Sequence, residues 1–124
     1  MFRVLMIVLA AVGVAWGLTA LLVPDLLAQL YGGSLEPFGR AFTNVGAAIA
    51  VGFGLLDGSL RNLQDSATQR RILLANLVAI MLVAVTLLLS TASGTFNALG
   101  WAGAALHSAL AAVLLWVLVR ASRT

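Results

Sequence analysis

Few side chains in this sequence are equipped for chemistry. It has one histidine, His107, seven arginines, no lysine, no cysteine, and four acids, Asp25, Glu36, Asp57 and Asp65. An imidazole can relay a proton or hydrogen-bond a ligand. A metal or haem centre needs further donors, and no second histidine and no cysteine exist to complete one. Without cysteine there is also no disulfide, thiolate nucleophile or iron–sulfur cluster. Nucleophile-triad and phosphate-loop patterns lack their residues. The sequence therefore assigns no catalytic residue and no metal ligand. What remains is a set of polar handles for a ligand: His107, Asn44, Arg40, Thr86 and Trp16.

The elements that must position them are four apolar runs. The chain has 124 residues, 62% of them hydrophobic and only 9% charged, against about 25% charged in a soluble domain. Its mean hydropathy is +1.09. Too little polar surface exists to coat a water-soluble globule, so the reading is an integral membrane protein with a single domain over residues 1–124. The runs predict transmembrane helices at about 4–23, 39–56, 69–90 and 98–119, each close to the ~20 residues that span ~30 Å of hydrocarbon. The first run has a basic start, as a signal peptide does. Its apolar part exceeds the usual ~7–15 residues and no clear cleavage site follows, so it is expected to remain as a helix. Between the first two runs, residues 24–31 (PDLLAQLY) predict a short amphipathic interfacial helix, with Pro24 at its first position and Tyr31 at headgroup depth. Asp57-Gly58 is expected to stop the second helix. Ser66-x-x-Gln69 has capping-box form for the third, and Asn97 is placed to cap the fourth. The fold class is thus all-α: an antiparallel bundle of four transmembrane helices joined by short links.

Small residues supply candidate packing faces, because helices in lipid associate by close approach rather than by hydrophobic force. These are Gly13-x-x-x-Gly17, the stripe Gly46, Ala50 and Gly54, and the face Gly100, Gly103 and Ala104 that also carries His107. Trp116 falls on the opposite side of that last run. The face points His107 inward, where hydrogen bonding to a neighbouring helix would satisfy it.

The arginines set an orientation. With cytoplasmic termini the inner side holds Arg3, Arg61, Arg70, Arg71, Arg120 and Arg123, and the outer side only Arg40. The basic stretch between Asp57 and Arg71 reads first as a cytoplasmic anchor, and second as a surface for a partner or anionic lipid. This topology puts Trp16, Arg40, Asn44, Thr86 and His107 in the outer half of the membrane, with His107 about 12–15 Å deep. A pocket with Arg40 at its lip and His107 at its floor is one consequence, and interhelical hydrogen bonding without a ligand is the other. No acid lies inside the four predicted runs, which removes the usual carboxylate of cation-coupled transport.

Several short motifs resemble those of small bacterial four-helix membrane proteins, the DoxX-like and related uncharacterised tetraspan families. They are Leu22-x-Pro24 ending the first helix, Leu30-Tyr31-Gly32 after it, Arg40 opening the second helix with Gly46 and Gly52 inside it, and Gly100-Trp101 opening the fourth. The resemblance implies an accessory membrane subunit, in some members linked to quinone or thiol redox chemistry. This chain, without cysteine, cannot itself do the thiol part.

Three functional readings follow. The favoured one is a scaffold or accessory subunit of the bacterial inner membrane, packing through small-residue faces against copies of itself or a larger membrane complex. The second is a binding protein or enzyme subunit for a hydrophobic ligand, quinone or lipid, in an outer-leaflet pocket near His107. The third is a small transporter or channel. No cofactor is assigned. The positive net charge of +3 belongs to topology signals at the ends of the runs, with the bilayer as partner and no nucleic acid.

Overall fold

The computed structural model describes residues 1–121, and within them every regular element is a helix. They are α1 (Phe2–Leu22), α2 (Pro24–Leu30), α3 (Pro37–Leu60), α4 (Ser66–Ala92) and α5 (Leu99–Ala121). Four of the five are long and apolar enough to cross a membrane, and no more than 28% of the most apolar stretch of each is buried. Their outward sides are lined with leucine, valine, isoleucine and phenylalanine. Water does not tolerate so much apolar surface, whereas lipid does. The chain is a multi-pass membrane protein. Arg123, counted in the orientation above, lies outside the described residues.

The helices run longer than the apolar runs that predict them. Asp57-Gly58 does not stop α3, which continues to Leu60. The last turn is held by Ser59 Oγ donating to the Leu55 carbonyl at 2.8 Å, and Arg61 donates to the Gly58 carbonyl. The Arg61 bond satisfies one of the carbonyls that a helix end otherwise leaves unpaired. The extension takes Asp57 into the helix, where it is buried. The second apolar helix therefore does hold a carboxylate near its end, and that objection to transport falls. At the start of α4 the cap is Asp65 rather than Ser66. Its carboxylate accepts from the Thr68 backbone N–H at 2.8 Å and from the Thr68 hydroxyl.

Contacts divide the chain into two compact units, Met1–Gln64 and Asp65–Thr124. In the first, α1 and α3 pack antiparallel. Phe2, Met6, Leu9, Gly17 and Ala20 are buried on α1, and Ala47, Gly54 and Asp57 on α3. The α1 positions, with Gly13, advance by steps of three or four, which keeps one face toward the partner. The centre of this seam is backbone against backbone. A methyl carbon placed on Gly17 would stand 2.7 Å from the Ala47 carbonyl oxygen, and one on Gly54 would stand 2.9 Å from that of Ala10. Between α1 and α3, α2 starts with Pro24 at its first position and ends in a Schellman turn. There Gly32, at φ 86°, donates to Gln29 and Gly33 to Ala28.

In the second unit α4 and α5 form an antiparallel hairpin. Leu73, Leu77, Ala84 and Thr91 are buried on α4. Gly100, Ala104, Leu114, Val117 and Leu118 are buried on α5. At the turn, Gly94 adopts φ 78° and the Asn97 side chain accepts from the Leu99 N–H at 2.9 Å, opening α5.

Candidate functional site

Within the first unit three of the polar handles can be placed. Arg40, one turn into α3, donates to Asp25 on α2 at 2.6 Å, and both side chains are nearly half exposed. This pair ties the short helix to the mouth of α3 and neutralises the arginine that the charge pattern places alone on its side. Trp16 is exposed on α1, beside the packed face rather than within it. Asn44 lies one turn along from Arg40, and its Oδ1 is buried without a hydrogen-bond partner among the described residues. An amide oxygen removed from water without a donor costs about 1–3 kcal/mol, so this atom is a standing demand for one.

Within the second unit, His107 holds a seam position of α5, in step with buried Ala104 and Leu114 and half buried itself. Its Nδ1 donates to the Gly103 carbonyl, 2.8 Å away on the preceding turn. The partner is therefore its own helix, where the sequence predicts a neighbouring one. A side chain can reach the carbonyl four residues back, and this satisfies the ring locally. In the neutral ring, Nε2 is then left as acceptor. Thr86 makes the same kind of local bond, to the Leu82 carbonyl at 2.9 Å, and sits on the exposed side of α4. The hairpin therefore does not bring Thr86 to His107, since the seam of α4 runs through Ala84 and Thr91.

The small residues divide in a way that spacing alone does not predict. Gly13, Gly17 and Gly54 meet backbone atoms across the α1–α3 seam, and the Ala50 carbonyl is among those Gly13 approaches. Gly46 meets nothing within 4 Å and lies off the seam. A strict four-residue stripe drifts about 40° per step around a helix, so the packed face of α3 takes Ala47 in its place. On α5, Gly100 is buried under Thr91, whose hydroxyl donates to the Leu87 carbonyl at 2.7 Å. Gly103 supplies the acceptor for His107, and Ala104 is buried in the seam.

Sequence reasoning missed Asp57, because a carboxylate beside a glycine reads as a helix stop. It also missed the exposed ridge of α3. Phe38, Phe42, Val45, Ile49, Phe53 and Leu56 follow one another by steps of three or four, and each is more than half exposed. That spacing is legible in the sequence, but attention to small residues passes over it.

At the arginine-rich ends of the helices, the Thr68 hydroxyl and N–H hold the Asp65 carboxyl below the usual carboxylate range, and the charge of Arg71 adds to the effect. The Arg120 guanidinium stacks on the Trp116 ring, 4.9 Å from its centre. Compared with family models, curated proteins and solved structures, the chain matches none.

Proposed function

We propose that this protein is a non-enzymatic scaffold or accessory subunit of the bacterial inner membrane, crossing it four times with both ends in the cytoplasm. The observation that carries the reading is the α3 ridge. Phe38, Phe42, Val45, Ile49, Phe53 and Leu56 stand out on the side of α3 away from α1. Gly46 and Gly52 flank them with open space over their backbones. Projecting knobs at heptad-like spacing beside bare backbone match what a partner helix packs against. The partner is a second copy or another membrane subunit. The Gly13 and Gly17 face is spent inside the chain, on α3, and is not available for this purpose. The likeness to DoxX-like proteins rests on the short motifs quoted above and contributes no residue to the ridge.

The test uses the absence of native cysteine. Ile49→Cys should form an oxidative crosslink in native membranes, to itself or to one discrete partner. Leu82→Cys on α4, also more than half exposed, should not. If Ile49→Cys stays uncrosslinked, and Phe42→Ala with Ile49→Ala leaves the detergent-solubilised mass unchanged from that of the wild type, the reading is wrong.

A second reading, binding of a hydrophobic ligand such as quinone or lipid, is favoured by the orphaned Asn44 Oδ1. A ligand hydroxyl would supply the missing donor there. Ligand co-purifying with the wild type and lost from Asn44→Leu supports it, and unchanged ligand content opposes it.

A further inference from the structure

The second unit carries a furrow that the ridge and the polar handles do not involve. It lies between α4 and α5 at their arginine-bearing ends and has a volume of about 210 Å³. Its lining is Leu74 and Leu77 from one helix, Leu115, Leu118 and Val119 from the other, and Arg70. One end is therefore cationic and the rest is aliphatic. From Arg70 to Leu77 the helix rises about 10 Å, so the furrow leads from the charged rim into the hydrocarbon depth. At about 210 Å³ it is smaller than the ~300 Å³ at which compact small-molecule pockets begin, and it is partly open. That shape takes one segment of a flexible chain rather than a folded ligand.

Charge selects the head of that chain. From Ser66 onward the sequence contains no acid, while Arg70, Arg71 and Arg120 gather at the same end. Asp65, the carboxylate of the second unit, is occupied in capping Thr68. Arg120 is laid over Trp116, a residue type that favours the membrane–water boundary. Arg70 has no ion pair among the described residues. A guanidinium at the rim of an aliphatic furrow matches a phosphate joined to an acyl chain.

We infer that the α4–α5 furrow is a binding site for one anionic phospholipid, with an acyl chain along Leu74, Leu77, Leu115 and Leu118 and its phosphate on Arg70. The site needs only the membrane character of the chain, so it stands or falls separately from the α3 ridge and from the orientation.

The experiment is native mass spectrometry of the full chain released from detergent, with dioleoyl phosphatidylglycerol and dioleoyl phosphatidylcholine in competition. Phosphatidylglycerol should be retained preferentially as a single adduct. Arg70→Gln should reduce that preference about fivefold, the worth of one arginine near a lipid surface. Arg71→Gln should leave most of it. Leu74→Trp, a substitution at a half-exposed position, should displace both lipids by filling the furrow. Glycerophosphoglycerol, the same headgroup without acyl chains, should not be retained. Equal losses in Arg70→Gln and Arg71→Gln would mean diffuse surface charge and would overturn the site, as would full retention in Leu74→Trp. Binding of the bare headgroup would replace the lipid by a free phosphate ester and also overturn it.

Discussion

A methyl group added at either of two seam glycines, compared with the same methyl at two open ones, tests the packing of the first hairpin. At Gly17 the new carbon would meet the Ala47 carbonyl oxygen at 2.7 Å and the Val51 backbone nitrogen at 2.9 Å. At Gly54 it would meet the Ala10 carbonyl oxygen and the Val14 nitrogen, both at 2.9 Å. These are backbone atoms and cannot rotate away, so the helices must separate. Overpacking of this kind costs about 1–3 kcal/mol. At Gly46 and Gly52 nothing lies within 4 Å, and no such cost arises. Every Gly→Ala change also gains about 0.8–1.0 kcal/mol of helix propensity. That gain is common to all four variants and cancels in the comparison. Gly17→Ala and Gly54→Ala should therefore fall below Gly46→Ala and Gly52→Ala by about 1–3 kcal/mol, a factor of roughly 5 to 150 in the folded ratio. The assay is reversible unfolding in mixed micelles with increasing dodecyl sulfate, followed by helical circular dichroism. Equal stability across the four variants would refute the close approach of α1 and α3.

The other expectations are smaller or more local. Gly100→Ala should destabilise the second hairpin, because the added carbon collides with the Thr91 hydroxyl. Thr91→Ala in the same chain should recover part of the loss, a coupling of about 0.5–3 kcal/mol by double-mutant cycle. Asn44→Leu should stabilise the ligand-free protein by up to about 1–3 kcal/mol, since it removes a buried acceptor without a donor; a loss of stability would show that Oδ1 is satisfied. Breaking the half-exposed Arg40–Asp25 pair by Asp25→Asn should cost no more than about 1 kcal/mol, and less at high salt. The Asp65 carboxyl titrates below its unfolded value of 3.8. Its contribution is therefore complete above that value and is lost as the pH falls through the lower, folded one. The stability gap between wild type and Asp65→Asn should be constant near neutrality and close at acid pH.

Much of the architecture is legible without coordinates because lipid is a simple solvent. Runs of about 20 apolar residues have one structural solution in it, a helix that satisfies its own backbone. The ends are less legible, since they depend on single hydrogen bonds. Asp57-Gly58 reads as a stop, yet Ser59 and Arg61 carry α3 onward. Ser66 reads as a cap, yet Asp65 performs that task. Gly13, Gly17 and Gly54 stand out by type, but whether they meet their own chain or another is a matter of register. Gly46 shows the limit, because it shares their composition and spacing and faces open space. Orientation groups the polar handles by depth, and depth says nothing about direction around a helix. His107 and Thr86 end on different sides of their hairpin, each bonded to its own preceding turn.

The central claim is that four helices cross the membrane with the arginine-rich segments on one side. Single cysteines at Ser34, Gln64 and Thr95, placed in a chain that has none, report this directly through a membrane-impermeant maleimide on intact cells. Ser34→Cys and Thr95→Cys should label without permeabilisation, and Gln64→Cys only after it. Labelling of Gln64→Cys on intact cells, or of Ser34→Cys and Thr95→Cys under different conditions, would contradict the account.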